Sequence, residues 1–184
     1  MQEYKYFSTP KEVFNWVNLH YAKEILDQLN VKKNPESPLT DYKGKAFHEI
    51  NRYVRHHEED KQSDYDIKGI QGILLSMTFC ESITTFRFVS FKELRILLCQ
   101  TAFGRIYEYP AFLSTTLLKD YYAMDDIKRG RLPIAIHIPQ NTNGTYIPEV
   151  NPEIPEFEIL LPYRLRMKRI SWNVYEIVPT KLSD

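Results

Sequence analysis

The 184-residue sequence has only two cysteines and six glycines. Two cysteines are too few for a disulfide framework or a zinc knuckle, so the small disulfide-rich and zinc-binding classes are excluded. Because Cys80 and Cys99 both lie in apolar runs, we interpret them as small core residues rather than nucleophiles. The glycines form neither G-x-G-x-x-G nor G-x-x-x-x-G-K-S/T, so neither glycine-rich phosphate loop is predicted.

Net charge and long hydrophobic runs are missing as well. Basic and acidic side chains number 24 each, and a formal charge of zero argues against a general nucleic-acid or membrane binder. No apolar run reaches the length of about 18 residues that a transmembrane helix needs. The first residues include no apolar signal segment. This leaves open whether the chain is a mature fragment or is exported without a cleaved leader.

The composition that remains is typical of a folded domain. Apolar residues make up 43% of the sequence and charged residues 26%, both close to globular averages. We therefore predict one domain over residues 1–184, with a helical part over about 8–80 and a β-rich part over about 81–184. Helices followed by strands favour an α+β fold over alternating βαβ units.

Hydrophobic spacing predicts the individual elements. Thr9 and Pro10 form a helix-start signal before an apolar repeat of four residues, which predicts a helix over about 10–29. The same reasoning predicts further helices over about 40–56, 65–78 and 90–100. Predicted strands cover 84–89, 111–116, 132–138, 157–161, 165–170 and 173–178.

Two carboxylates stand at the start of a predicted buried strand. Glu156 and Glu158 precede the apolar run 159–161, and residues two apart on a strand share a face, with Cα atoms about 6–7 Å apart. The pair is either a solvated strand edge or a carboxylate pair in a cleft, where like charge and burial perturb acidity. The sequence alone leaves both interpretations open.

Hydroxyl groups and one arginine occupy two other predicted strands. Ser114 and Thr116 share a face and Thr115 takes the other, so they either pair across strands or orient a neighbouring carboxylate. Arg87 interrupts an apolar strand, and a buried cation needs a partner. That partner is either an internal carboxylate or an anionic ligand such as a phosphate.

An arginine, a hydroxyl triplet and a carboxylate pair, in this order, resemble the Arg / Ser-Thr-Ser / Glu-x-Glu class of bacterial mono-ADP-ribosyltransferase toxins. That class includes clostridial binary-toxin enzymatic components and Rho-modifying exoenzymes. The resemblance covers roughly residues 39–178. Within it, Tyr42, Phe47 and Asn51 have the spacing of the family's first nucleotide-binding helix, where such residues face NAD.

The resemblance implies a role for each matched residue. Arg87 would hold the NAD phosphates, and Ser114 would orient Glu158, the catalytic glutamate, which bonds the 2′-hydroxyl of the nicotinamide ribose. Glu156 would bond or deprotonate the acceptor. In the family, a glutamate at this first position goes with arginine acceptors.

The remaining matches concern the nicotinamide pocket and the phosphates. Thr115 and Thr116 would support the pocket, and Arg131 resembles an arginine near the loop that folds over phosphate and nicotinamide. The implied fold is α+β, with N-terminal helices packed on a core of two mostly antiparallel β-sheets and the NAD cleft between them.

The implied activity is transfer of ADP-ribose from NAD, used as a substrate without a metal, to an arginine of a protein acceptor. This is chemistry of the glycosyltransferase class. The resemblance also implies a monomeric toxin or effector that is secreted or delivered into the cytosol of a target cell and binds no nucleic acid. Two alternatives stay open, namely an NAD glycohydrolase with water as the acceptor and a non-catalytic binding module of a toxin.

Overall fold

The structure is a computed structural model that describes residues 3–56, 65–120, 127–148 and 156–179. Six α-helices in these ranges are α1 (Pro10–His20), α2 (Lys23–Leu29), α3 (Leu39–Asp41), α4 (Phe47–Arg55), α5 (Ile67–Ser76) and α6 (Phe91–Gln100). A π-helical turn, Tyr42–Ala46, joins α3 to α4, and a 3₁₀ turn, Ala102–Gly104, follows α6. No helix among the described residues is both long and apolar enough to cross a bilayer.

The strands are β1 (Ile83–Val89), β2 (Tyr107–Tyr109), β3 (Leu113–Thr116), β4 (Leu132–Ile138), β5 (Thr145–Ile147), β6 (Glu158–Leu161), β7 (Leu165–Ser171) and β8 (Val174–Ile177). They form one mixed sheet in the order β2-β7-β8-β4-β1-β3-β6-β5. Only β4 and β8 run parallel among the described pairs. The predicted α+β class is therefore confirmed, whereas the three-residue strands β2 and β5 were too short for their alternation to be recognised.

The two predicted sheets are continuous rather than separate, but they meet at a narrow seam. β1 pairs with β4 at seven positions, whereas it pairs with β3 through the single pair Phe86 and Thr116. We call this single pair the β1–β3 seam. It divides the sheet into a five-stranded part that ends at β1 and a three-stranded part made of β3, β6 and β5.

β6, the middle strand of the three-stranded part, is buried on both faces. Along β6, Ile159 and Leu161 pack into the hydrophobic cluster that includes α1, while Leu160 packs into the cluster formed with α4 and α5. Because side chains alternate along a strand, burial on both sides needs a continuous apolar run, which β6 has after its first residue. The start of β6 is consequently held by packing from two sides.

The predicted helix over 10–29 is interrupted at two residues. Its start is as expected, because Thr9 and Glu12 form a capping box before Pro10. Tyr21 and Ala22 adopt extended backbone angles, and the Tyr21 hydroxyl accepts a hydrogen bond from the Tyr146 N–H in β5 at 3.1 Å. This tertiary contact divides one apolar repeat into α1 and α2.

Both cysteines are exposed, so their interpretation as core residues is wrong. Cys99 lies in the last turn of α6, and Cys80 lies in the segment between α5 and β1. The Cys80 Sγ is 2.9 Å from His20 Nδ1. Apolar neighbours in sequence did not predict burial here, because Cys80 is adjacent to a buried Phe79 that fills the core in its place.

Gly144 provides a test of the packing around β6. Its φ is 142°, and a Cβ there would lie 2.6 Å from Leu161 Cδ2 and 2.9 Å from the Leu160 carbonyl oxygen. We expect Gly144→Ala to lower the free energy of unfolding by about 2–4 kcal/mol, measured by chemical denaturation. Gly72→Ala is the matched control, because that helical glycine has open space around it and gains about 0.5–1 kcal/mol. Equal stability of the two variants would contradict the close approach of residue 144 to β6.

Candidate functional site

Arg87 lies two residues before the end of β1, beside the β1–β3 seam, and three groups hold its guanidinium. Nη1 donates to the Ser114 carbonyl oxygen at 2.7 Å, Nε donates to Glu93 Oε1 at 3.2 Å, and Nη2 donates to Tyr109 Oη at 3.4 Å. Burial alone would lower the pKa of Arg87, but Tyr109 and Glu93 raise it above its ordinary value. The guanidinium therefore stays charged, with 23% of the side chain still accessible.

The two side chains that contact Arg87 come from α6 and β2. Glu93 lies in the first turn of α6, where the Ser90 hydroxyl caps its N–H at 3.1 Å. Tyr109, in β2, donates from its hydroxyl to Glu93 Oε1 at 2.9 Å. Burial raises the pKa of the Tyr109 phenol, so it remains a donor. Sequence reasoning missed Glu93 and Tyr109, because only tertiary packing brings α6 and β2 to β1.

Ser114 and Glu158 meet across β3 and β6. These strands are antiparallel, with Thr116 opposite Glu158 and Ser114 opposite Leu160. Ser114 and Glu158 are thus diagonal neighbours on one face. The Ser114 hydroxyl donates to Glu158 Oε1 at 2.6 Å, and Glu158 is only 8% exposed. The structure brings together the serine and the glutamate that the sequence paired.

Glu156 also lies beside Lys43 and near Glu158, but it is not part of the strand as predicted. β6 begins at Glu158, and Phe157 before it has a φ of 49°, in the left-handed region. The Phe157 side chain is fully buried, and its carbonyl oxygen accepts from the Leu117 N–H at 3.0 Å. Glu156 is therefore outside the strand, with 55% of its side chain accessible. The shared strand face does not explain why the two carboxylates are close.

A lysine that sequence reasoning missed joins the two carboxylates. Lys43 Nζ donates to Glu158 Oε2 at 2.6 Å and to Glu156 Oε2 at 2.5 Å. Its side chain is only 7% accessible. Burial alone would lower the pKa of Lys43, but Glu158 and Glu156 raise it above its ordinary value, so the ammonium is charged. Arg87, Ser114, Glu158, Lys43 and Glu156 thus form one connected network, in which Ser114 contributes its carbonyl oxygen to Arg87 and its hydroxyl to Glu158.

The predicted nucleotide-binding trio is not arranged on one surface. Tyr42 is 4% exposed and Asn51 is 8% exposed. The Asn51 amide donates to Tyr42 Oη at 3.4 Å and accepts from the Phe112 N–H at 3.0 Å. Burial and the nearby Glu158 charge raise the pKa of Tyr42. Phe47, by contrast, is 39% exposed, and its ring contacts that of its neighbour His48 in a tilted arrangement.

The other predicted site residues surround this network. The Thr115 hydroxyl is buried and donates to the Ile159 carbonyl oxygen at 3.4 Å. The Thr116 hydroxyl donates to the Glu156 carbonyl oxygen at 2.9 Å. Arg131 is exposed and immediately precedes β4, whose first residue pairs with the last residue of β1. Across the described ranges, no group of three or more His, Cys, Asp or Glu side chains is placed to hold a metal ion.

The chain matches the model of one known protein family. A family model for the ADP-ribosyltransferase exoenzyme domain matches residues 15–178. The match spans most of the sequence, and the chain therefore belongs to the ADP-ribosyltransferase exoenzyme family. The predicted resemblance to bacterial mono-ADP-ribosyltransferase toxins is confirmed. No sequence among curated proteins matches the chain significantly.

Solved structures have the same fold at low sequence identity. Plx2a, an ADP-ribosyltransferase toxin from Paenibacillus larvae, is 15% identical with a TM-score of 0.68, over 96% of this chain and 100% of that one. C3stau2 from S. aureus, solved with NAD, is 18% identical with a TM-score of 0.62, over 97% of this chain and 100% of that one. BECa, from a binary enterotoxin of C. perfringens and solved with NADH, is 18% identical with a TM-score of 0.67, over 96% of this chain and 50% of that one.

Asn51 provides a test that separates a packing role from contact with NAD. We expect Asn51→Leu to lower the free energy of unfolding by about 1–3 kcal/mol, because the buried Phe112 N–H loses its acceptor. The control is Asn34→Leu, which removes an exposed amide contact to the Gln28 carbonyl oxygen and changes stability by less than about 0.5 kcal/mol. An Asn51→Leu protein of normal stability with impaired NAD binding would instead make Asn51 a substrate contact.

Proposed function

We propose that the chain is an NAD-dependent mono-ADP-ribosyltransferase that modifies an arginine of a protein acceptor. The observation that carries this proposal is the buried Glu158 carboxylate, which the Ser114 hydroxyl orients at 2.6 Å. The membership of the family supports the reaction class. The solved relatives that contain NAD or NADH support the choice of dinucleotide.

Arg87 is the group that we assign to the pyrophosphate of NAD. Its guanidinium is charged, partly accessible and held in place by Glu93 and the Ser114 carbonyl oxygen. A fixed guanidinium can donate two parallel hydrogen bonds to a phosphate. Since Arg87 bonds the main chain of the residue whose side chain orients Glu158, the phosphate group and the reacting ribose are positioned by one connected network.

Glu158 is the group that we assign to bond cleavage. The nicotinamide ring of NAD is a cation that leaves as a neutral molecule when its bond to ribose breaks, and positive charge develops on the ribose as an oxocarbenium ion. A fixed carboxylate beside the ribose stabilises that charge in the transition state. Glu158 fits this task because Ser114 and Lys43 hold one carboxylate oxygen each.

Glu156 is the group that we assign to the acceptor. An arginine nitrogen forms the new bond to ribose C1′ and loses one proton, which a nearby carboxylate accepts or passes to solvent. Glu156 binds the same Lys43 ammonium as Glu158. Because 55% of its side chain is accessible, a protein side chain can approach it from solvent. A carboxylate in this position supports arginine as the acceptor, because arginine must lose a proton when it is modified.

The proposed setting is that of a toxin or effector that is secreted or delivered into the cytosol of a target cell. Incubation with isotopically labelled NAD and a host-cell lysate tests this, with mass spectrometry of any labelled band. Transfer predicts labelled arginine in an acceptor protein. An NAD glycohydrolase would release nicotinamide without labelled protein, and a non-catalytic module would release none.

Replacing the first assigned carboxylate should remove both reactions. We expect Glu158→Gln to reduce NAD cleavage and arginine modification together by more than about 100-fold, because the amide cannot stabilise the oxocarbenium charge. Nicotinamide release and acceptor labelling measure the two reactions. Glu108→Gln, at an exposed position of β2, is the control and should retain both. Normal NAD cleavage by Glu158→Gln would contradict its assignment.

Replacing the second carboxylate should separate the reactions. We expect Glu156→Gln to retain NAD cleavage within about tenfold and to lose arginine modification by more than about 100-fold, because only the transfer needs a base or anchor for the guanidinium. The same two assays measure the ratio. Transfer that persists in Glu156→Gln would remove the acceptor assignment and leave the Glu158 assignment untouched.

A further inference from the structure

Lys43 is buried against both carboxylates of the site, and no motif of the sequence accounts for it. We propose that Lys43 is a positioning residue whose ammonium binds Glu158 and Glu156 together and fixes their orientation before NAD and the acceptor bind. This inference rests on the proposed function, since it concerns the same carboxylates. It adds a residue whose task is to prepare the site rather than to contact the reacting atoms.

The geometry restricts Glu158 from both ends of its carboxylate. Ser114 donates to Oε1 at 2.6 Å and Lys43 donates to Oε2 at 2.6 Å. Two donors on the two oxygens fix the plane of the group as well as its position. A catalytic group held in this way has little freedom to lose when the ribose arrives, which is the structural meaning of preorganisation.

The charges around the pair explain why an ammonium is needed there. Lys43 and Tyr42 face the pair from the π-helical turn, and Ser114 faces it from β3. Arg87 on β1 donates to Glu93 and the Ser114 carbonyl oxygen rather than to either carboxylate of the pair. Two carboxylates within reach of one ammonium repel each other when the ammonium is removed. They then move apart, and Glu158 is no longer held in the orientation that Ser114 and Lys43 give it.

The π-helical turn explains how Lys43 reaches the pair. Tyr42–Ala46 has the wider hydrogen-bond spacing of a π helix. The angular position of Lys43 relative to α4 therefore differs from the one that a regular α-helix would give. Tyr42 is anchored in the core by Asn51 and by Phe112, whose ring meets that of Tyr42 edge to face. Lys43, the next residue, is thereby directed to the start of β6. Short π segments are frequent at functional sites.

The test is NAD cleavage by Lys43→Met and Lys43→Arg, with kcat and KM measured separately. We expect Lys43→Met to lower kcat about tenfold and to change KM for NAD by less than about threefold, because Glu158 loses its orientation towards the transition state while the residues assigned to the dinucleotide are unchanged. Lys43→Arg should restore most of the lost kcat. Lys168→Met, which removes an ammonium 2.6 Å from Glu176 between β7 and β8, is the matched control and should keep the kcat and KM of the parent protein.

Three outcomes would overturn the inference. A loss of kcat that Lys43→Arg does not rescue would mean that Lys43 only supports the local fold. Activity of Lys43→Met equal to that of the parent protein would mean that Lys43 does not position the carboxylates. Activity above that of the parent protein would mean that Lys43 obstructs them.

A second measurement works without NAD and separates this inference from the proposed function. In a double-mutant cycle on the melting temperature, Lys43→Met and Glu158→Gln should each lower Tm by about 5 °C, because each leaves a buried partner uncompensated. The double variant should lose clearly less than the sum. If the parent protein cleaves no NAD, the proposed function is refuted. The cycle still measures whether Lys43 and Glu158 are coupled, because it needs no NAD. Additive losses would refute the coupling between Lys43 and Glu158.

Discussion

The Glu158 carboxylate is the group on which the rest of the site depends. A carboxylate that is 8% exposed needs hydrogen-bond or ion-pair partners, because burying such a group without partners is costly. The structure supplies one neutral donor, Ser114, from β3 and one cation, Lys43, from the π-helical turn. Three segments that are distant in the sequence must therefore converge before one acidic side chain can be buried with a partner on each carboxylate oxygen.

The sheet explains how these segments stay in register. β6 is packed from both faces, so the start of the strand is rigid, and Phe157 anchors the turn that leads into it. β1 and β3 touch through a single pair at the seam. Arg87 on one side and Ser114 on the other are joined by a hydrogen bond from the guanidinium to the carbonyl oxygen. The β1–β3 seam thus lets the five-stranded part supply Arg87 and the three-stranded part supply Ser114 and Glu158 to one site.

Sequence reasoning predicted the elements that alternation and apolar runs define, and it failed where tertiary contacts decide. The strands of Arg87, Ser114 and Glu158 were predictable, because each has a β-branched, aromatic or continuous apolar pattern. Lys43 was not, since a π turn shifts the angular position of residues and leaves no periodic signal. Asn51 matched a binding motif by spacing, yet its amide satisfies a backbone N–H in the core.

The most direct test of this account is a crystal structure of the protein with NAD bound. We expect the nicotinamide ribose 2′-hydroxyl to lie within hydrogen-bond distance of Glu158, the pyrophosphate to contact Arg87, and Ser114 still to donate to Glu158. A dinucleotide bound with its ribose away from Glu158, or with its phosphates remote from Arg87, would contradict the account.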